Sequence, residues 1–171
     1  MPILDPRGGH FGLILPLCTS SATVGLALYQ YPVVLTLFRG HPDIAKNTTA
    51  PSYLDPLIKQ GTALVATTAL TSTVAGLFSA RWLTTHATLE TTDVSRWYLY
   101  GAILAAGHLA SLPIVAGYVK RAVGSGVTKT DAETEEDLTS LLTIHTARTL
   151  LIDVPALLCF AEGVALSFWV I

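Results

Sequence analysis

The stretch GGHFGLILPLCTSSATVGLALYQYPVVLTLF, residues 8–38, contains no Asp, Glu, Lys or Arg. An α-helix needs about 20 apolar residues to cross the hydrocarbon of a bilayer, so this stretch is long enough to span a membrane. Two more windows without charged residues follow at 60–80 and 97–119, and a strongly apolar fourth window at 149–171 carries two acidic residues. The sequence therefore predicts an all-α bundle of four transmembrane helices that run up-down-up-down.

The composition of the rest of the chain supports a membrane protein. Of the 171 residues, 51% are hydrophobic and 13% are charged, about half the charge of a typical soluble domain. A net charge of -2 provides no basic surface for nucleic acid, and two cysteines make no disulfide framework. We expect a single integral membrane domain, residues 1–171, in the endoplasmic reticulum or another internal membrane. Its predicted spans are about 11–38, 58–80, 97–119 and 141–169. The oligomeric state is left open, with a homo-oligomer as one option.

Small and hydroxylated residues are expected to hold the helices together. Ser21 and Gly25 are four residues apart in the first window, a spacing that lets two helices approach closely in lipid. The second window is rich in Thr and Ser, namely Thr62, Thr67, Thr68, Thr71, Ser72 and Thr73. Hydroxyls in a span usually bond to a carbonyl one turn back or to a neighbouring helix. We therefore interpret them as packing contacts rather than as the lining of a pocket.

Ionisable residues inside the spans are the candidates for function, because a charged or polar side chain that faces lipid is costly. His108 lies at the middle of the third window, and His145, Arg148 and Asp153 lie on the last helix. His145 and Arg148 are ~60° apart and share a face. Arg148 and Asp153 are ~140° apart, which makes an ion pair within the helix awkward. We expect Arg148 to find a partner on another helix or at a backbone carbonyl. Glu162, nearer the end of the span, is a weaker candidate.

The depth of the last helix decides whether these residues meet. That helix is predicted to be about 55 Å long, well beyond a hydrocarbon core of about 30 Å. If its embedded part begins near Arg148, His108 lies about 20 Å from His145. If it begins near Leu141, His108, Arg148 and Asp153 line one cavity, and His145 is a further candidate for it. We favour the second placement, because it puts both buried charges in one polar pocket.

The residue types narrow the chemistry of such a cavity. A dimetal site of the ferritin kind needs four carboxylates, and the spans hold one Glu and one Asp. Haem held by His108 and His145 requires the two side chains to lie at the same depth. A histidine, an arginine and a carboxylate can bind an aromatic substrate from the bilayer, take a proton and stabilise the resulting enolate. The same residues would equally serve as structural clamps between helices, or hold a partner or a lipid.

Several short motifs resemble those of one family. They are Ser20-Ser21-x-x-x-Gly25, Tyr100-Gly101-Ala102 to Gly107-His108, Leu112-Pro113, and His145-x-x-Arg148-x-x-x-x-Asp153-x-Pro155-Ala156. Together they resemble fungal integral membrane proteins of the domain-of-unknown-function 1772 group, over nearly the full chain. That group includes the anthrone oxygenases of polyketide biosynthesis.

The resemblance implies a membrane enzyme that oxidises an anthrone to an anthraquinone with dioxygen as co-substrate. Such enzymes are regarded as needing no dissociable cofactor, and copper or iron is left open here. On this interpretation His108 or His145 is the base, Arg148 holds the phenolate or enolate oxygens, and Asp153 orients Arg148 or a histidine. Two alternatives remain: a cofactor-free cyclase or isomerase of the same kind of pathway, and a non-catalytic membrane scaffold.

Overall fold

A computed structural model describes residues 6–39, 49–85, 89–123 and 131–170, and these residues are helical throughout. Three long helices come first: α1 (Pro6–Arg39), α2 (Thr49–Thr85) and α3 (Leu89–Val123). They are followed by α4 (Asp131–Arg148), a π-helical turn (Thr149–Asp153) and α5 (Val154–Val170), which continue one another without a gap. We treat these last three elements as the fourth helix of the bundle.

The four helices close into a ring. Helix α1 packs against α2, α2 against α3, and α3 against both α4 and α5, while α5 returns to α1. Within the described residues, four segments are long and apolar enough to cross a membrane: Gly12–Pro32, Lys59–Thr85, Asp93–Arg121 and Thr139–Phe168. The predicted four-helix membrane bundle is therefore confirmed.

One half of the interior is an aromatic layer, formed by Tyr98 and Phe160 with the glycines that face them. Both aromatic side chains are fully buried, with ring centroids 6.3 Å apart. Gly76 and Gly101 make room for Phe160, since a Cβ built on Gly101 would lie 2.6 Å from its Cε1 atom. The Tyr98 hydroxyl donates to the carbonyl of Leu13 at 3.1 Å. This layer joins α1, α2, α3 and α5 tightly at the end of the bundle where α3 begins.

Hydroxyl pairs join α1 to α2. Thr19 and Ser72 are hydrogen-bonded at 2.7 Å, and Thr23 and Thr68 at 2.9 Å. The hydroxyls of the second window also donate to carbonyls three or four residues back, at Thr67, Thr68, Thr71, Ser72 and Thr73. The interpretation as packing groups is therefore confirmed for Thr68 and Ser72, whereas Thr67, Thr71 and Thr73 bond to carbonyls of their own helix.

The predicted packing face at Ser21 and Gly25 is wrong. Both residues are exposed, and a Cβ added at Gly25 would meet nothing within 4 Å. Helix α1 instead turns Thr23 and Ala27 inward, and both are buried. The spacing of small residues alone did not distinguish two neighbouring stripes of one helix, because both stripes contain small side chains.

Aromatic residues mark both ends of α3 in the membrane. Trp97 and Tyr100 meet edge to face with ring centroids 6.5 Å apart, and the guanidinium of Arg121 lies 4.3 Å from the Tyr118 ring centre. Trp and Tyr concentrate at the two interfaces of a bilayer. The helix between Trp97 and Tyr118 is about 32 Å long, close to the thickness of the hydrocarbon. His108 lies midway between these anchors and therefore near the centre of the membrane.

Candidate functional site

Four ionisable side chains meet at the centre of the bundle. His108 comes from α3, His145 and Arg148 from the last turn of α4, and Asp153 from the end of the π-helical turn. Their residues are 0%, 6%, 7% and 3% exposed, respectively. We call these four residues the polar cluster. Asp153 lies at the middle of the fourth candidate span, just as His108 lies at the middle of α3 between its aromatic anchors. Both helices therefore place the polar cluster near the centre of the membrane.

The polar cluster is a chain of contacts that begins on α3 and ends on α1. His108 donates from Nδ1 to Asp153 Oδ1 at 2.7 Å. Asp153 Oδ2 lies 3.6 Å from Arg148 Nε, an ion pair longer than a hydrogen bond. Arg148 Nη2 donates to His145 Nδ1 at 2.9 Å, and His145 Nε2 donates to the carbonyl of Ala27 at 3.1 Å. All four predicted site residues are therefore in one connected network.

The sequence prediction that Arg148 would find its partner on another helix or at a backbone carbonyl is wrong, since Arg148 contacts His145 and Asp153 on its own helix. That prediction assumed α-helical geometry, which places residues five apart on different faces. The turn between them is π-helical, and the Val154 N–H bonds to the carbonyl of Thr149, five residues back. In a π-helical turn, residues five apart lie much closer to a common face than they do in an α-helix. The local backbone therefore creates the pair that a regular α-helix would prevent.

Pro155 gives a physical reason for the π-helical turn. It directly follows the turn, and a proline within a helix has no N–H to donate and clashes with the carbonyl four residues back, here that of Leu151. A wider turn relieves this clash and lets the helix continue, so α5 follows α4 without a break. π-helical insertions of this kind are found often at functional sites.

His145 has no free nitrogen lone pair in this arrangement. Its Nε2 must carry a hydrogen to bond the Ala27 carbonyl, because a carbonyl oxygen only accepts. Its Nδ1 must accept from Arg148, because a guanidinium only donates. The ring is therefore the neutral Nε2–H tautomer with both nitrogens occupied. A haem iron between His108 and His145 does not fit, since His145 has no nitrogen to offer it.

His108 is the opposite case. Its Nδ1 donates to the Asp153 carboxylate, so in the neutral ring the lone pair is on Nε2. That nitrogen is buried and has no hydrogen-bond partner in the protein. Among the residues described, three buried side-chain N or O atoms lack such a partner: His108 Nε2, Arg148 Nε and Asp153 Oδ2. All three are in the polar cluster. Buried polar groups are nearly always hydrogen-bonded, so this concentration makes the polar cluster the candidate functional site.

Helix α1 contributes residues that the sequence analysis did not single out. The Tyr31 ring lies against His145 with centroids 5.2 Å apart. Thr146 donates to the carbonyl of Leu142, so the Tyr31 hydroxyl donates to Thr146 Oγ1, at 2.5 Å. The contribution of Ala27 is a backbone carbonyl, which no side-chain pattern can reveal. Tyr31 was difficult to single out from the sequence, because it is one hydroxyl-bearing side chain in a window without charged residues.

Other candidates lie outside the polar cluster. Glu162 is exposed on α5, so it takes no part in the buried network. Among the described residues, no three His, Cys, Asp or Glu side chains come together in an arrangement that could hold a metal ion. Arg148, a residue that only donates, separates His145 from the His108–Asp153 pair.

No protein-family model matches the chain, and no curated protein or solved structure matches it. The case for a function therefore depends on the geometry of the polar cluster and on the chemistry that its residue types allow.

Proposed function

We propose that the protein is a membrane-bound oxygenase that removes a proton from an anthrone and passes the resulting carbanion to dioxygen, giving an anthraquinone. The observation that carries the proposal is the buried, unpartnered Nε2 of His108, whose ring is held by Asp153 through the other nitrogen. A histidine oriented by a carboxylate is a common general base. The sequence motifs that resemble anthrone oxygenases supply the substrate class.

The electrostatics of the polar cluster suit this first step. Before reaction, the buried charges are Arg148 and Asp153, which balance each other across 3.6 Å. Proton transfer creates an imidazolium on His108 and an enolate on the substrate. The imidazolium lies against Asp153, and the enolate oxygen would lie near Arg148, so each new charge has a counter-ion. In a medium of low dielectric constant, such preorganised partners lower the barrier to charge separation.

The full reaction balances without a further reductant. His108 Nε2 takes one proton from the methylene carbon, and the electron pair of that C–H bond moves into the ketone. The carbanion forms a C–O bond with dioxygen, and the imidazolium returns its proton to the outer oxygen to give a hydroperoxide. His108 then removes the second proton from the same carbon, whose C–H electron pair forms the new C=O bond while the O–O bond breaks. The hydroxide that leaves takes this proton back from the imidazolium and becomes water. A second ketone and one water are the products, so one dioxygen supplies both oxygens.

The burial of the proposed base favours a reaction that releases no net proton to water. His108 is fully buried near the middle of the membrane, far from either aqueous surface. A base in such a place works best when each proton it takes is returned within the same turnover. A cofactor-free isomerase or cyclase would satisfy the same condition, since it returns the proton to the substrate, and oxygen consumption separates it from the oxygenase.

The test is oxygen uptake by purified protein in lipid nanodiscs, measured together with anthraquinone absorbance. We expect one dioxygen consumed per anthraquinone formed, at a rate above that of the spontaneous oxidation in empty nanodiscs. His108→Gln should lower the turnover rate by about 1000-fold, within the usual range for loss of a general base. Glutamine keeps a donor for Asp153 but offers no basic nitrogen. Turnover without oxygen uptake would favour the isomerase or cyclase, and no turnover by folded protein would favour a scaffold.

A further inference from the structure

We propose that His145 is a positioning residue, which stays neutral and fixes the Arg148 guanidinium. In this role it connects α1 to the other three residues of the polar cluster. This inference rests on the proposed function for its kinetic consequences. It assigns different roles to the two buried histidines, both of which the sequence offered as a base. His108 would act on the substrate, and His145 would act only through Arg148.

The His145 ring is held from three sides. Nε2–H donates to the Ala27 carbonyl on α1, and Nδ1 accepts from Arg148 Nη2. The Tyr31 ring packs against it at 5.2 Å with the two planes tilted by 46°. Tyr31 is itself fixed by its hydrogen bond to Thr146, the neighbour of His145. A ring held in this way has one available tautomer and one orientation.

This fixed ring orients the guanidinium. The guanidinium is planar and rigid, so a hydrogen bond that holds Nη2 also constrains the direction of the Nε–H edge. In the structure, that edge lies 3.6 Å from Asp153 Oδ2 and has no hydrogen-bond partner of its own. Without His145, the long side chain of Arg148 would regain rotamers that turn Nε away from Asp153 and from an enolate.

His145 is also a poor proton acceptor for a structural reason. To accept a proton at Nδ1, it would have to lose its bond from Arg148 and bring a second positive charge against the guanidinium. To free Nε2, it would have to give up the Ala27 carbonyl and leave that acceptor unpaired. Both changes cost a buried hydrogen bond, which opposes proton transfer. The geometry therefore favours a positioning role for His145 over a role as the base.

The same substitution made at each histidine separates the two roles. A carboxamide presents one donor and one acceptor at a separation similar to that of the two ring nitrogens of a neutral imidazole, but it has no basic lone pair. His145→Gln can therefore replace both hydrogen bonds of a positioning residue, whereas His108→Gln cannot replace a base. His145→Leu removes both bonds at similar volume. Thr143→Val, an exposed position on the same helix, is the matched control.

We expect His145→Leu to lower kcat by about 100-fold with little change in KM, the size of effect seen when a reacting group is misplaced by about 1 Å. His145→Gln should recover most of this loss and stay within about tenfold of the parent, while His108→Gln stays about 1000-fold down. Each variant is first checked for cooperative thermal unfolding in detergent. The proposal is overturned if folded His145→Gln is as inactive as His108→Gln, or if His145→Leu is as active as the parent.

A second measurement decides the proposal even if the protein does not oxidise an anthrone. Selectively ¹⁵N-arginine-labelled protein should show an immobilised Arg148 side-chain signal by NMR, assigned by its loss in Arg148→Lys. This signal should persist in His145→Gln and broaden or shift in His145→Leu. An Arg148 signal that does not respond to His145→Leu would contradict the positioning role. Absence of anthrone turnover by the parent protein would count against the proposed function alone.

Discussion

The aromatic layer and the polar cluster are two buried regions that both lie between α3 and the fourth helix. They differ in how their polar atoms are paired. In the aromatic layer, the polar atom of Tyr98 is satisfied by the Leu13 carbonyl and lies 3.4 Å from Ser167 Oγ. In the polar cluster, about 15 Å along α3, three buried polar atoms have no hydrogen bond, and two of them, Arg148 Nε and Asp153 Oδ2, face each other as an ion pair at 3.6 Å. The first region pairs its polar groups as stability requires, whereas the second keeps donors and acceptors available. That contrast makes the polar cluster the candidate functional region, whereas the aromatic layer is explained by packing alone.

The largest expected effect is on the polar cluster itself. Asp153→Asn removes the charge that balances Arg148 and leaves a buried cation, so we expect the free energy of unfolding to fall by about 3–5 kcal/mol. Reversible unfolding in mixed micelles measures this change. Asp153→Asn combined with Arg148→Met should recover much of the stability without recovering turnover.

Glu162→Gln is the matched control for Asp153→Asn, since Glu162 is the other acidic residue of the same span and is exposed. Glu162 lies about 13 Å from the middle of the span, near one interface of the membrane. The free energy of unfolding of Glu162→Gln should therefore stay within about 0.5 kcal/mol of the parent. If Asp153→Asn and Glu162→Gln have equal effects, the buried ion pair does not carry the energy assigned to it.

A smaller effect is expected in the aromatic layer. Gly101→Ala places a Cβ 2.6 Å from Phe160 Cε1, with both Phe160 and its surroundings closely packed. Overpacking of this kind costs about 1–3 kcal/mol. Gly117→Ala on the same helix has nothing within 4 Å of the new Cβ and should have no such cost. Turnover per folded molecule should change little in either variant, and a selective loss of turnover in Gly101→Ala would show that the two regions are not separable.

The smallest effect should come from the π-helical turn that connects the two regions. Pro155→Ala restores an N–H and removes the clash, so the turn can revert to α-helix and move Asp153 out of line with Arg148. We expect turnover to fall by about tenfold, with the melting temperature unchanged or raised. Pro113→Ala, at an exposed position within α3, should leave turnover unchanged. Full activity in Pro155→Ala would mean that the turn does not set the geometry of the ion pair.

The fold could be predicted from the sequence because the bilayer imposes length and apolarity on each span. Three windows without charged residues, at 8–38, 60–80 and 97–119, together with a strongly apolar fourth window at 149–171, were enough to predict four helices. Packing between those helices was harder to predict. Ser21 and Gly25 have the spacing of a packing face, yet the buried face of α1 is the neighbouring one, with Thr23 and Ala27. Small residues occur on both faces, so their spacing alone could not distinguish them.

The sequence predicted that the four side chains of the polar cluster could lie together, but it did not predict the contacts between them. Burial cost in a membrane singled out His108, His145, Arg148 and Asp153 without any knowledge of their contacts. Their pairing depends on a π-helical turn, which ordinary helical periodicity cannot anticipate, and on the Ala27 carbonyl, which has no side-chain signature. The different roles that we propose for the two histidines are argued from those contacts.

The most direct test of the account is the tautomer of each buried histidine, read by ¹⁵N NMR of histidine-labelled protein in lipid at neutral pH. Signals are assigned with His108→Gln and His145→Gln. The account predicts opposite tautomers: His108 protonated at Nδ1 with an unprotonated Nε2, and His145 protonated at Nε2 with an unprotonated Nδ1. If His108 instead carries its single proton on Nε2, it has no lone pair facing a substrate, and the proposed base is wrong.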